Sequence, residues 1–164
     1  MSEKRWLGLA ATVLAMPAGL ASGQSPAALS GADQAAIYRA AGAVQQDGKW
    51  VICTDDPAAA GASIDEVRDL NGDGHPEAVV SESGTFCYGA TGTGFQLLSQ
   101  QADGSWRLVT GDIGIPEFLE SRGVGGWPDI SIGGPGFCFP VQRWNGKEYV
   151  VQRHQYEGKA CNPG

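Results

Sequence analysis

The 164-residue sequence predicts a mainly β domain, a compact antiparallel sheet or sandwich of two repeated β units with one N-terminal helix, stabilised by disulfides. Three observations carry this prediction. From Lys49 onward, short apolar runs alternate with glycine-rich turns, the pattern of an all-β body. The two halves of that stretch repeat one another. Four cysteines, an even number, are spread through it.

The elements follow in chain order. Lys4 and Arg5 precede an apolar run from Trp6 to about Ala21, which exits through the small residues Gly19, Ala21, Ser22 and Gly23. A basic start, apolar middle and small-residue exit predict a signal peptide over 1–23, cut after Ala21 or Gly23. Pro17 and Gly19 interrupt the run, whereas a spanning helix needs roughly 20 predominantly apolar residues. The expected mature chain is therefore periplasmic or secreted, with no membrane span after cleavage. Residues 24–30 read as a linker, and 31–164 as a single β-rich domain. Ser30 followed by Asp33 resembles a capping box with Asp in place of Glu. Ile37, Ala40, Ala41 and Val44 then recur at helical spacing and Gly48 offers a stop, predicting a helix over 32–45.

Beyond it the predicted strands are Trp50–Cys53, Ala78–Ser81, Phe95–Ser99, Trp106–Val109, Asp129–Ile132, Phe139–Trp144 and Tyr149–Gln152. Asp103-Gly104 and Asn145-Gly146 supply the chemistry of tight hairpin turns. The repeat aligns Gly74-His-Pro-Glu77, Ala78-Val-Val80 and Phe86-Cys87 with Gly126-Trp-Pro-Asp129, Ile130-Ser-Ile132 and Phe137-Cys138. Two diverged units result, one at about 49–110 and one at about 121–156.

In an exported chain Cys53, Cys87, Cys138 and Cys161 read as disulfides, with three connectivities open. Proximity in sequence favours Cys53–Cys87 and Cys138–Cys161. Each would contribute on the order of 3 kcal/mol by constraining the unfolded chain. A zinc site lacks its C-x-x-C pair, and His75 and His154 stand alone. Loss of Glu3, Lys4 and Arg5 removes a net charge of +1 and takes the formal −7 to −8. An acidic body excludes nucleic acid and anionic membrane surfaces as partners, because both need a basic face. Cations and basic proteins fit it.

The segment richest in chemistry is Asp69-Leu-Asn71-Gly-Asp73-Gly-His75-Pro-Glu77. Oxygen side chains stand at loop positions 1, 3, 5 and 9, the His75 carbonyl is available at 7, and Gly72 and Gly74 let the backbone curl. Calcium takes six to eight oxygens at about 2.3–2.6 Å, so this spacing suits it better than magnesium, which demands stricter octahedral geometry. Without a cation the crowded Asp69, Asp73 and Glu77 would repel one another and raise a pKa among them. An EF-hand is excluded, because position 12 is Val80 and the flanks read as strands.

This loop, leading into an apolar strand, resembles the calcium loop of FG-GAP repeats of the integrin alpha and VCBS-like type. The resemblance covers about 30 residues. It implies calcium held by Asp69, Asn71, Asp73, the backbone of His75, and Glu77. The second unit reads Ser121-Arg-Gly-Val-Gly-Gly-Trp-Pro-Asp129 and has lost the ligands at positions 1, 3 and 5, so no ion is expected there. Two units cannot close the seven-bladed propeller usual in that family, and blade-like hairpins in a smaller sheet assembly are expected instead.

No catalytic constellation is found. Ser83 lacks a Gly-x-Ser-x-Gly elbow, Gly133–Gly136 lacks the Lys-Ser/Thr of a phosphate loop, and nothing sets Glu117 and Glu120 across a cleft. Trp127, Phe137, Phe139 and Trp144 cluster in the second unit, either as core or as a candidate surface for a protein or glycan partner. The expected function is a non-catalytic, calcium-binding exported module with a binding or envelope-associated structural role. A small periplasmic hydrolase and an inhibitor of an exported hydrolase are the alternatives.

Overall fold

The computed structural model describes residues 29–163, so the expected signal peptide over 1–23 and residues 24–28 of the expected linker lie outside the described residues. Ser30 caps helix α1, Gly31–Ala40. Its hydroxyl accepts the Asp33 N–H at 3.2 Å and donates to the Asp33 carboxylate at 2.6 Å. The helix stops five residues before its predicted end at 45. Gly42 turns the chain at φ 83°, and β1 (Val44–Gln46) pairs with β2 (Lys49–Val51) across Asp47-Gly48. Both turn residues are left-handed, at φ 50° and 79°, as a two-residue hairpin requires. Val44, expected on the helix stripe, is exposed on β1.

Four strands, β3 (Ala62–Arg68), β4 (Glu77–Ser83), β5 (Thr93–Gln100) and β6 (Trp106–Ile113), form an antiparallel meander. The second sheet is also antiparallel: β7 (Ile115–Arg122), β8 (Pro128–Gly133), β9 (Phe139–Trp144), β10 (Tyr149–Tyr156) and the short β11 (Lys159–Ala160). Every predicted strand lies on or across an observed one. The unit boundaries move, since the first sheet spans 62–113 and the second begins at Ile115 rather than near 121. The chain passes between sheets at Gly114, φ 150°, where a Cβ would run into Ile132 and the Gly133 carbonyl.

Alternation along β4 sets the layering. Val79 points with Phe95 and Leu97 into a core shared with Trp127, Ile130, Ile132 and Trp144 of the second sheet. Ala78 and Val80 point with Val67 and Leu98 to the other side, against Ile37 and Ala41 of α1. The first sheet is thus buried on both faces, which is why its second strand reads as an unbroken apolar run. Burying each such side chain contributes about 1.5–3 kcal/mol relative to leaving it exposed. Disulfides Cys53–Cys87 and Cys138–Cys161, with Cα–Cα distances of 6.1 and 5.6 Å, pin one segment to each sheet. No helix among the described residues is long and apolar enough to cross a membrane.

The two sheets stack with the same polarity. Glu77 and Val79 lie on the face of the first sheet that meets the second, whereas Ile130 and Ile132 are the residues of β8 that meet the first. Asp129 and Ser131, the counterparts of Glu77 and Val79, therefore occupy the outer face of the second sheet.

Candidate functional site

The 69–77 segment joins β3 to β4, and short polar side chains wind it into a coil. The Asp69 carboxylate accepts the N–H groups of Gly72 at 2.7 Å and Gly74 at 3.0 Å. Asn71 Oδ1 accepts from Asp73 N, and Asp73 Oδ1 accepts from His75 N, both at 2.8 Å. Gly72 and Gly74 sit at φ 82° and 90°, which closes the curl without steric cost.

Glu77 ends the loop and begins β4, and only 1% of it is exposed. One of its oxygens accepts the Leu70 N–H at 2.8 Å, and the other faces Asn71 Nδ2 at 3.5 Å. Burial pushes its carboxyl up to about 7, with the charges of Asp73 and Asp69 adding to the effect. The Leu70 N–H and the Ser99 hydroxyl oppose it without winning. All of these donors are neutral. Among the described residues no lysine or arginine forms an ion pair with Glu77, Asp73 or Asp69.

The structure brings Asp73 and Glu77 to a single nitrogen, since Asn71 Nδ2 also donates to Asp73 Oδ2 at 3.2 Å. Asp69 instead turns its oxygens toward the loop backbone. Among the described residues no three carboxylate, imidazole or thiol side chains converge on one point. A cation here would draw on a mixed set, namely carboxylates, the Asn71 amide oxygen and the His75 carbonyl. Carboxylate oxygens keep further lone pairs after accepting one N–H, so the hydrogen bonds described do not exhaust them. A donor set made of oxygen alone fits a hard cation.

The equivalent loop of the second unit is built differently. Asp129 is fully buried, and its carboxylate accepts from Arg143 Nε and Nη2 at 2.8 Å, Arg153 Nη1 at 2.9 Å and Ser121 Oγ at 2.6 Å. Burial works against its charge, but the Arg143, Ser121 and Arg153 hydrogen bonds prevail and hold it well below the usual carboxylate range. Ser121 stands at the position of Asp69, and Arg143 at that of Ser99, which lies opposite Glu77. The two loops also touch. Arg122 Nη1 donates to the carbonyls of Leu70 at 2.5 Å and Gly126 at 3.1 Å, and a Cβ at Gly126 would meet the Asn71 carbonyl.

Of the predicted aromatic surface, Trp127 and Trp144 are core. Their rings lie 5.6 Å apart between the sheets, against Tyr149; a cavity of about 640 Å³ opens beside Trp144, and Arg122 and Arg143 but no acid are among its lining residues. Phe137 is 79% exposed and Phe139 half-buried, both beside Tyr156. Ser83 lies exposed at the end of β4, and neither His75 nor His154 is hydrogen-bonded to it. Sequence reading missed Arg143, Arg153 and Ser121. It also missed Glu82, whose buried carboxylate accepts from Ile52 N, Cys53 N and Tyr88 Oη at 2.7–3.0 Å and anchors the Cys53 segment. The one available signal was Asp129 itself, an acid retained in a loop stripped of its other acids, with basic residues on the strands that follow.

No family model, curated protein or solved structure matches this chain.

Proposed function

We propose that the protein is an exported, non-catalytic module in which the 69–77 loop binds calcium, serving a binding or envelope-associated structural role. Asp69, Asn71, Asp73, Glu77 and the His75 carbonyl would hold the ion, as the FG-GAP resemblance implies. When bound, calcium would supply the positive charge that this acidic loop lacks. The observation that carries the reading is Glu77, a buried carboxylate with neutral partners only, set against Asp129 with two arginines. A buried carboxylate without a counter-charge is costly, and a bound cation removes that cost.

The test is thermal unfolding of the oxidised mature chain in millimolar calcium, in magnesium and in chelator. A ligand present at 100 times its dissociation constant and bound only to the folded state adds about 2.7 kcal/mol. For a domain of this size that is a rise of several degrees. The expected result is a rise in calcium, little in magnesium, and none in Asp69→Ala or Asp73→Ala. An unchanged melting temperature across the three solutions would return the loop to an ordinary turn.

A further inference from the structure

The outer face of the second sheet is the counterpart of a buried interface. In the first sheet the residues at these positions, Glu77, Val79, Phe95, Leu97 and Ser99, are all closed off, and the second sheet covers them. In the second sheet the same positions hold Asp129, Ser131, Phe139, Val141 and Arg143; among the described residues no further sheet covers them, although Asp129, Ser131 and Val141 are buried and Phe139 and Arg143 half-buried. Two of the changes add polarity. Ser131 stands for Val79 and Arg143 for Ser99, and Arg143 and Arg153 close over Asp129.

One part of the face has not become polar. A groove of about 430 Å³ opens between β7, β8, β9 and the β10–β11 turn. Leu119, Phe139 and Tyr156 line it, Glu117 and Glu157 stand on it, and no lysine or arginine is among its lining residues. Phe137, more exposed than any other large apolar side chain described, extends the aromatic wall, with its ring 6.1 Å from that of Tyr156.

We propose that this groove receives an arginine side chain from a protein partner. This deepens the module reading above by naming the chemistry of the partner. Aromatic faces carry negative potential and attract guanidinium groups most strongly where water is partly excluded. The aliphatic stem of an arginine matches Leu119 and Phe139, and its head matches Glu117 and Glu157. The net charge of −8 on the mature chain steers a basic partner toward the face.

The experiment titrates the calcium-loaded mature chain with a fluorescent capped pentapeptide carrying arginine between two leucines. Peptides with citrulline or glutamate at the central position serve as controls. The arginine peptide is expected to bind at least tenfold more tightly than either control. Leu119→Arg should abolish the difference by setting the chain's own guanidinium in the groove. Leu119 is half-buried on β7, and an unchanged melting temperature of the variant verifies its fold. Glu117→Gln combined with Glu157→Gln should weaken arginine binding without moving the melting temperature. Equal binding of the three peptides, or full arginine selectivity in Leu119→Arg, overturns the proposal. The calcium melting shift, measured on the same samples, separates the two readings. Loss of arginine selectivity with the shift intact overturns the groove alone, and loss of the shift with selectivity intact overturns the calcium loop alone.

Discussion

Glu77 and Asp129 stand at the same place in the two β units, each at the start of the second strand of its sheet and each shut away from solvent. Around Asp129 the chain supplies its own positive charge, two guanidiniums and a serine hydroxyl. Around Glu77 it supplies an amide N–H, an asparagine and a serine, with two further acids nearby. The same backbone site thus carries its own counter-charge in one unit and only neutral partners in the other. What a loop position demands is set by the charge brought to it from neighbouring strands as much as by its own residues.

The sharpest way to break this contrast is to remove the acid that already has partners. Asp129→Asn leaves Arg143 and Arg153 around a neutral group, and breaking a buried pair in this way costs on the order of 3 kcal/mol. Urea unfolding should show the same loss in calcium and in chelator, because this site owes nothing to an ion.

Glu77→Gln should behave oppositely in the two solutions. A carboxyl whose folded pKa is raised to about 7 stabilises the fold most below its unfolded pKa and loses that contribution as pH rises through 7. Chelated wild-type protein should therefore weaken between about pH 5 and 8, by on the order of 2 kcal/mol once solvent screening is allowed for. Calcium should flatten that slope. The Glu77→Gln variant should have no slope in chelator, exceed wild type there at pH 8, and show no response to calcium. The depressed Asp129 carboxyl has the reverse sign, since its contribution is full above the ordinary Asp pKa and is lost only as pH falls toward its own.

A smaller effect tests the contact between the loops. Gly126→Ala combines a left-handed backbone, φ 79°, with a collision at the Asn71 carbonyl. It should cost about 2 kcal/mol and weaken calcium binding severalfold. Gly125→Ala, at φ 65° but with only ordinary contact to Trp127, should cost about 1 kcal/mol and leave calcium affinity unchanged. Thermal melts with and without calcium separate the two.

The chain discloses these features unevenly. The 69–77 loop was legible because its oxygens, glycines and spacing all lie within nine residues, and hairpins such as 145–146 were legible for the same reason. Strand β3 was missed because a bulge between Ile64 and Glu66 breaks its alternation, and β7 because Pro116 and two glutamates disguise it. The helix was overextended because Val44 continues a helical period that Gly42 has already ended. Trp127 and Trp144 read as either core or binding surface, because nothing local shows that two sheets close over them. The Asp129 cluster gathers residues 8, 14 and 24 positions away, a distance at which no motif operates.

The most direct test of this contrast between the units is the number of calcium ions bound, measured by calorimetric titration of the oxidised mature chain. One ion per chain is expected, and none in Asp73→Ala. Two ions would mean that the arginines of the second unit do not substitute for a cation. No ion in the wild-type chain would mean that the first loop tolerates its buried acid unaided.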